Sequence, residues 1–331
     1  MKKTLALLAL LCSVCCEFLA AQPNPSPEDR VRLREVFRLA ESVQDSVWRG
    51  WSKAPFAVLL VTPDHEFLLR HPRATHDFDT VGYDDAFQSL LLYRKRLFGQ
   101  NLLATFPAIN GYVTIVVGQL KNTNLPNSTA WILTLLHEHF HQLQMSQPNY
   151  FADTEALGLS RGDQTGMWML NYPFPYDSAL VNERFSTLCI ALSEALEASP
   201  DEFPAKLSAY RAARRDFQQS LSPDDYRYFS FQVWQEGVAR YAEWRVAKHA
   251  ASHYHPTQET RALSDYRPFA VAADSLRAGI LGRLPRLSLA GEQRTAFYPF
   301  GAAEAMLLDR ANPRWQELYL KNKFFLEAYY L

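Results

Sequence analysis

The sequence predicts a mainly helical α+β chain, and three observations carry that expectation. Short apolar runs broken by turn residues crowd into residues 56–117, the signature of a small, mainly antiparallel sheet. After Pro148 most long stretches repeat apolar residues at helical spacing. Between the two regions lies one strongly patterned segment, 129–146, that carries His137-Glu138-His139-Phe140-His141.

In chain order, Lys2 and Lys3, the apolar run Leu5 to Leu11 and the small residues Leu19-Ala20-Ala21 read as an export signal. A membrane-spanning helix needs about 20 apolar residues, and this run is shorter. Residues 1–21 are therefore expected to be removed, leaving a secreted or periplasmic chain with no stable membrane insertion. Ser26-Pro27-Glu28-Asp29 opens a helix over 27–50. Strands are expected at 56–61 and 66–69, flanking Thr62-Pro63-Asp64-His65, then a helix over 84–97. Further strands at 102–106 and 112–117 flank Ile109-Asn110-Gly111. The stretch 112–118 reads equally well as an interior strand or as a free edge able to pair with an extended peptide.

Pro126-Asn127-Ser128-Thr129 supplies capping side chains for the helix 129–146, which Pro148 stops. Asn127-Ser128-Thr129 also matches a glycosylation acceptor, but the capping role explains it sufficiently. Helices are expected near 179–197, 204–219, 226–250, 262–279 and 300–310, with 168–176 as a packed loop. Residues 315–331 should dock on the core as a helix, because a free tail so rich in aromatics would expose a large apolar patch. Residues 22–331 then form a single domain, or two lobes of about 22–147 (α+β) and 148–331 (helical).

The 331 residues carry 34 Lys and Arg against 35 Asp and Glu, a formal charge of −1 that leaves no basic excess to attract nucleic acid. Of the four cysteines, Cys12, Cys15 and Cys16 lie in the leader. Cys189 alone would remain, so a mature chain has no intrachain disulfide and depends on its core, for which 48% hydrophobic residues suffice. Cys189 itself, between Leu188 and Ile190, reads as a buried small hydrophobe.

On a helix, His137 and His141 share one face a turn apart, where both can reach one metal ion. With Glu138 after the first histidine, this is the H-E-x-x-H arrangement of zinc hydrolases. His139 points elsewhere and reads as a packing or surface residue. A catalytic zinc takes three protein ligands and keeps a fourth position for water, so a partner is needed. Glu236 is the candidate. It sits among Phe231, Val233, Trp234 and Val238, where a carboxylate is costly to bury unless a cation compensates it, either Zn²⁺ or Arg240 one turn on.

The segment Gln235-Glu236-Gly237-Val238-Ala239-Arg240-Tyr241-Ala242-Glu243 resembles the gluzincins, the thermolysin-like clan in which H-E-x-x-H is completed by a glutamate on a later helix. Within that clan the pairing is similar to the broad bacterial peptidase MA-like families. The resemblance covers these two segments alone. It implies a zincin-like catalytic unit with His137, His141 and Glu236 as ligands of one catalytic zinc and Glu138 as general base. It also implies that Gly237 and Ala239 are small so that the second helix can approach the first. The thermolysin pattern has an acid one turn after the ligand glutamate. This chain has Arg240 there, and Glu243, two turns on, becomes the group able to orient a ligand histidine.

Gluzincins often stabilise the oxyanion with a tyrosine or histidine. Tyr298, in Tyr298-Pro299-Phe300-Gly301-Ala302-Ala303, is the choice here, with Tyr241 and Tyr172 behind it. His249, His253 and His255, next to Pro256, read as an exposed turn rather than as ligands. The expectation is an exported zinc metallopeptidase acting on a peptide or protein through zinc-activated water. A secreted binding or scaffold protein with a closed structural zinc site, and a zinc hydrolase of a non-peptide amide or ester, remain open alternatives.

Overall fold

A computed structural model describes residues 22–73 and 75–330. The export-signal reading of residues 1–21 lies outside the described residues. Helix α1 (Pro27–Val47) begins where expected, with the Ser26 hydroxyl accepting the Asp29 N–H at 3.2 Å. Six strands follow: β1 (Ala57–Val61), β2 (His65–Leu69), β3 (Asp79–Asp84), β4 (Ser89–Lys95), β5 (Leu103–Ile109) and β6 (Tyr112–Gly118). They form one sheet in the order β3-β4-β2-β1-β6-β5.

Two corrections concern this sheet. It is mixed rather than antiparallel, since β1 and β6 pair in parallel while the other neighbours are antiparallel. That pairing makes β6 an interior strand and leaves β5 at the edge, where Pro107, which has no N–H to give, is tolerated. The helix expected over 84–97 is instead the end of β3, a turn and strand β4. Its consecutive leucines hide the alternation that marks a strand; in place, Leu90 is 53% exposed and Leu91 1%. Gln88 enters β4 with φ 52°, a conformation no α-helix continues through.

Helix α2 (Ser128–Met145) follows, capped by the Asn127 side chain accepting the Ala130 N–H at 2.9 Å. Nearly every side chain from Ser128 to Gln144 is buried, so α2 is a central helix rather than an amphipathic surface one. The remaining helices are α3 (Tyr150–Glu155), α4 (Trp168–Asn171), α5 (Ala179–Glu197), α6 (Phe203–Gln219), α7 (Pro223–Gln232), α8 (Val238–His253), α9 (Gln258–Arg261), α10 (Phe269–Leu281), α11 (Leu289–Glu292), α12 (Phe297–Ala311) and α13 (Trp315–Tyr319). A π-helical turn, Val233–Gly237, joins α7 to α8, so the long helix expected over 226–250 is present with one wide turn inside it.

The helix expected at 262–279 begins only at Phe269, because Pro268 pushes the residue before it out of the helical region. The last segment is α-helical to Tyr319 and closes with a 3-10 turn at Leu326–Tyr329, with Phe324 at φ 78° between them; Tyr319, Leu326 and Tyr329 are fully buried, so it docks as expected without being one helix. One apolar cluster contains α1, sheet, α2 and C-terminal side chains, among them Trp48, Trp131, Trp234 and Trp315. Among the described residues no helix is long and apolar enough to cross a membrane.

Candidate metal centre

Helix α2 sets His137 and His141 one turn apart with their Nε2 atoms 3.1 Å from each other. The π turn brings Glu236 to them: its Oε2 lies 3.6 Å from His137 Nε2 and 3.3 Å from His141 Nε2. A tetrahedral zinc with bonds of about 2.0–2.2 Å requires ligand atoms about 3.3–3.6 Å apart. The three edges of this triangle are therefore close to the size such an ion imposes. The π turn widens the helix by one residue at this point, a distortion that recurs where a side chain must be aimed.

Hydrogen-bond partners settle which ring nitrogens face inward. Gln144 donates its amide to the Gln235 carbonyl (2.9 Å) and the Tyr319 hydroxyl (2.7 Å), so its oxygen is the atom 2.6 Å from His141 Nδ1. His141 must then carry its proton on Nδ1 and turn the Nε2 lone pair toward Glu236. His137 Nδ1 lies 3.4 Å from Glu243 Oε2, at ion-pair distance without hydrogen-bond alignment, and Arg240 holds that carboxylate oxygen at 2.7 Å. Glu243 thus occupies the orienting position, while Arg240 pairs with Glu243 rather than with Glu236.

Three electron-pair donors consequently face one another, an arrangement that repels itself unless a cation sits among them. The residues fit a metal, and the buried group His137, Glu138 and His141, with ligand atoms all within 4.8 Å, can bind one. In the metal-free chain a proton takes that role. Burial opposes charge on His137, but Glu236 and Glu243 outweigh it and raise the imidazole from 6.5 to about 9. His141 and His137 hold Glu236 below its usual range, and Arg240 with His137 does the same for Glu243, in both cases against the cost of burial.

A raised pKa means that stability from the bound proton is complete below pH 6.5 and is lost as pH climbs through about 9. Metal must displace that proton. Zinc affinity, measured with a competing chelator, is therefore expected to rise about tenfold per pH unit from neutrality up to about pH 9, then level off. A flat profile would remove His137 from the ligand set.

Glu138 lies beside the triangle, and its Oε2 accepts the Thr105 hydroxyl at 2.8 Å. Thr105 belongs to the edge strand β5, so the sheet's free edge runs past this carboxylate. Tyr298 is also present, its ring parallel to that of His137 with centroids 6.1 Å apart. Burial and then the Glu236 charge push its phenol well above the ordinary range, keeping it protonated. Arg294 donates to the Tyr298 hydroxyl at 2.8 Å and stands 3.4 Å from Glu236 Oε1.

Tyr241 and Tyr172 are engaged elsewhere, donating to Asp309 and Asp225. His139 is a core residue. It stacks on Phe56 at 3.7 Å, and burial lowers it to about 3, so it stays neutral. His253 and His255 are exposed, and Cys189 is fully buried, as read from the sequence. The close approach that Gly237 allows is to α12, not to α2: a Cβ on Gly237 would meet Gly301 Cα at 2.4 Å. Thr105, Gln144 and Arg294 were not identified from sequence. Only Gln144, three residues after His141 on the same helix, carried a usable signal.

A cavity of 530 Å³ is lined by Leu133 and Thr134 of α2, Arg240 and Glu243 of α8, and Tyr298, but not by His137, His141 or Glu236. No protein-family model, curated protein or solved structure matches the chain.

Proposed function

We propose that the chain is a zinc-dependent hydrolase of the gluzincin type, exported through residues 1–21, and that it cleaves peptide bonds. The observation supporting this most strongly is the triangle of His137, His141 and Glu236 atoms, whose edges of 3.1, 3.3 and 3.6 Å suit a tetrahedral ion. Bound there, zinc would supply a Lewis acid that polarises a carbonyl and lets water act as a nucleophile near neutral pH. Glu138 takes the proton from the attacking water and returns it to the leaving amine, as a carboxylate placed beside the reaction can. The Thr105 hydroxyl fixes one Glu138 oxygen and leaves the other for the proton. Tyr298, protonated and held by Arg294, donates to the oxygen that gains charge on the substrate.

The free edge of β5 favours a peptide over a simple ester or amide. An extended chain can add to it as a further strand, with its backbone running past Glu138. The test is zinc analysis with digestion of a peptide library. We expect one zinc per chain and cleavage that disappears with a chelator and returns with one equivalent of zinc. A chain that holds its zinc but cleaves nothing would point to the non-catalytic scaffold instead.

A further inference from the structure

Helical spacing fixes His137 against His141, whereas Glu236 stands on a separate element, so the size of the triangle depends on what joins the π turn to α2. Two buried side chains make that joint. Gln144, in the last turn of α2, turns its oxygen to His141 Nδ1 at 2.6 Å and gives its amide N–H groups to the Gln235 carbonyl (2.9 Å) and the Tyr319 hydroxyl (2.7 Å). Tyr319, the last residue of α13, donates that hydroxyl to the Trp234 carbonyl at 2.6 Å. Its ring stacks on the Trp234 indole with centroids 4.6 Å apart, and its own carbonyl accepts the indole N–H at 3.3 Å. Gln144, Trp234 and Tyr319 are all fully buried, where water cannot replace a lost bond.

We infer that Gln144 and Tyr319 are positioning residues for the metal centre, a clasp that sets the π turn against α2 and so holds Glu236 at metal spacing from His141. The role rests on the metal-ligand part of the proposed function and not on hydrolysis. Each end of the clasp acts on a different ligand. The Gln144 oxygen fixes the His141 ring, and its amide nitrogen grips the carbonyl of the residue directly before Glu236. The Tyr319 hydroxyl bonds to Gln144 and to the Trp234 carbonyl rather than to a ligand, so it reaches the centre through the backbone of the turn. Tyr150 steadies the same turn, its hydroxyl donating to Gln235 Oε1 at 2.7 Å. The C-terminal segment is thereby part of the metal site although it supplies no ligand. A site held this way is shaped before the ion arrives, and affinity depends on that shape being kept.

Zinc affinity, measured with a competing chelator, separates this role from packing. Tyr319→Phe removes one hydroxyl and is expected to weaken zinc about tenfold, and Gln144→Met, which loses both ends of the clasp, up to about 100-fold. The visible absorption of the Co²⁺-loaded protein should shift in both variants as the ligand geometry relaxes. Tyr254→Phe makes the same chemical change at a hydroxyl bonded to Glu35 at 2.9 Å and should leave zinc affinity unchanged. In a Glu236→Ala background Tyr319→Phe should have little further effect, because the turn then carries no ligand to aim. Parental zinc affinity in both Tyr319→Phe and Gln144→Met, or an equal loss from Tyr319→Phe with and without Glu236, would overturn the inference. Failure of the metal-ligand reading is seen separately, as a Glu236→Ala protein that binds zinc as tightly as the parent.

Discussion

Glu138→Gln is expected to keep its zinc and to lose about 10²- to 10⁴-fold in kcat, the usual worth of a positioned general base. The substitution preserves shape, and the new amide oxygen can still accept the Thr105 hydroxyl now bonded at 2.8 Å. It removes only the ability to take a proton. Metal retention follows from the geometry, since the ligand triangle is made by His137, His141 and Glu236 and does not require Glu138. The two readouts must therefore separate: zinc content near that of the parent, and initial rates on a cleaved library peptide near background. A variant with full zinc and full activity would place the base elsewhere. A variant that loses zinc would make Glu138 a ligand and return the site to a closed, structural one.

The separability of these roles was largely legible in the sequence, because the information was local. Helical spacing puts His137 and His141 on one face, Asn127 caps the helix, and Glu236 stands out as an acid inside an apolar run. Nothing local announces Thr105 or Arg294, ordinary residues whose importance comes from chain folding over long separations: Thr105 reaches Glu138 from the sheet edge, and Arg294 reaches Glu236 from the 3-10 turn just before α12. The same limit explains Gly237. A glycine beside a candidate ligand signals close packing, but not against which helix, and the partner proved to be α12. In the sheet, Leu90-Leu91-Leu92 has no alternation to read, so the sequence there resembles a helix, and only pairing with β2 and β3 assigns each face.

That glycine contact yields the second large effect, because it couples the fold to the aim of Glu236. Gly301→Ala is expected to cost about 1–3 kcal/mol of stability through overpacking and to weaken zinc binding as well. A methyl at 301 would sit 2.7 Å from Gly237 Cα and 2.8 Å from the Val233 carbonyl oxygen. Both are backbone atoms that cannot rotate aside, and they are the two ends of the π turn that carries Glu236. Relief requires the turn to move away from α12, and a carboxylate held 3.3 Å from His141 Nε2 cannot follow without changing that distance. Gly279→Ala makes the same chemical change within α10, where a Cβ would meet nothing within 4 Å. There the helix gains, by roughly 0.5–1 kcal/mol, since alanine loses less backbone freedom on folding. Urea unfolding with zinc titration of both variants thus gives opposite signs for one added methyl. Equal stabilities would mean that α12 does not fix the turn and that Glu236 owes its position to the metal itself.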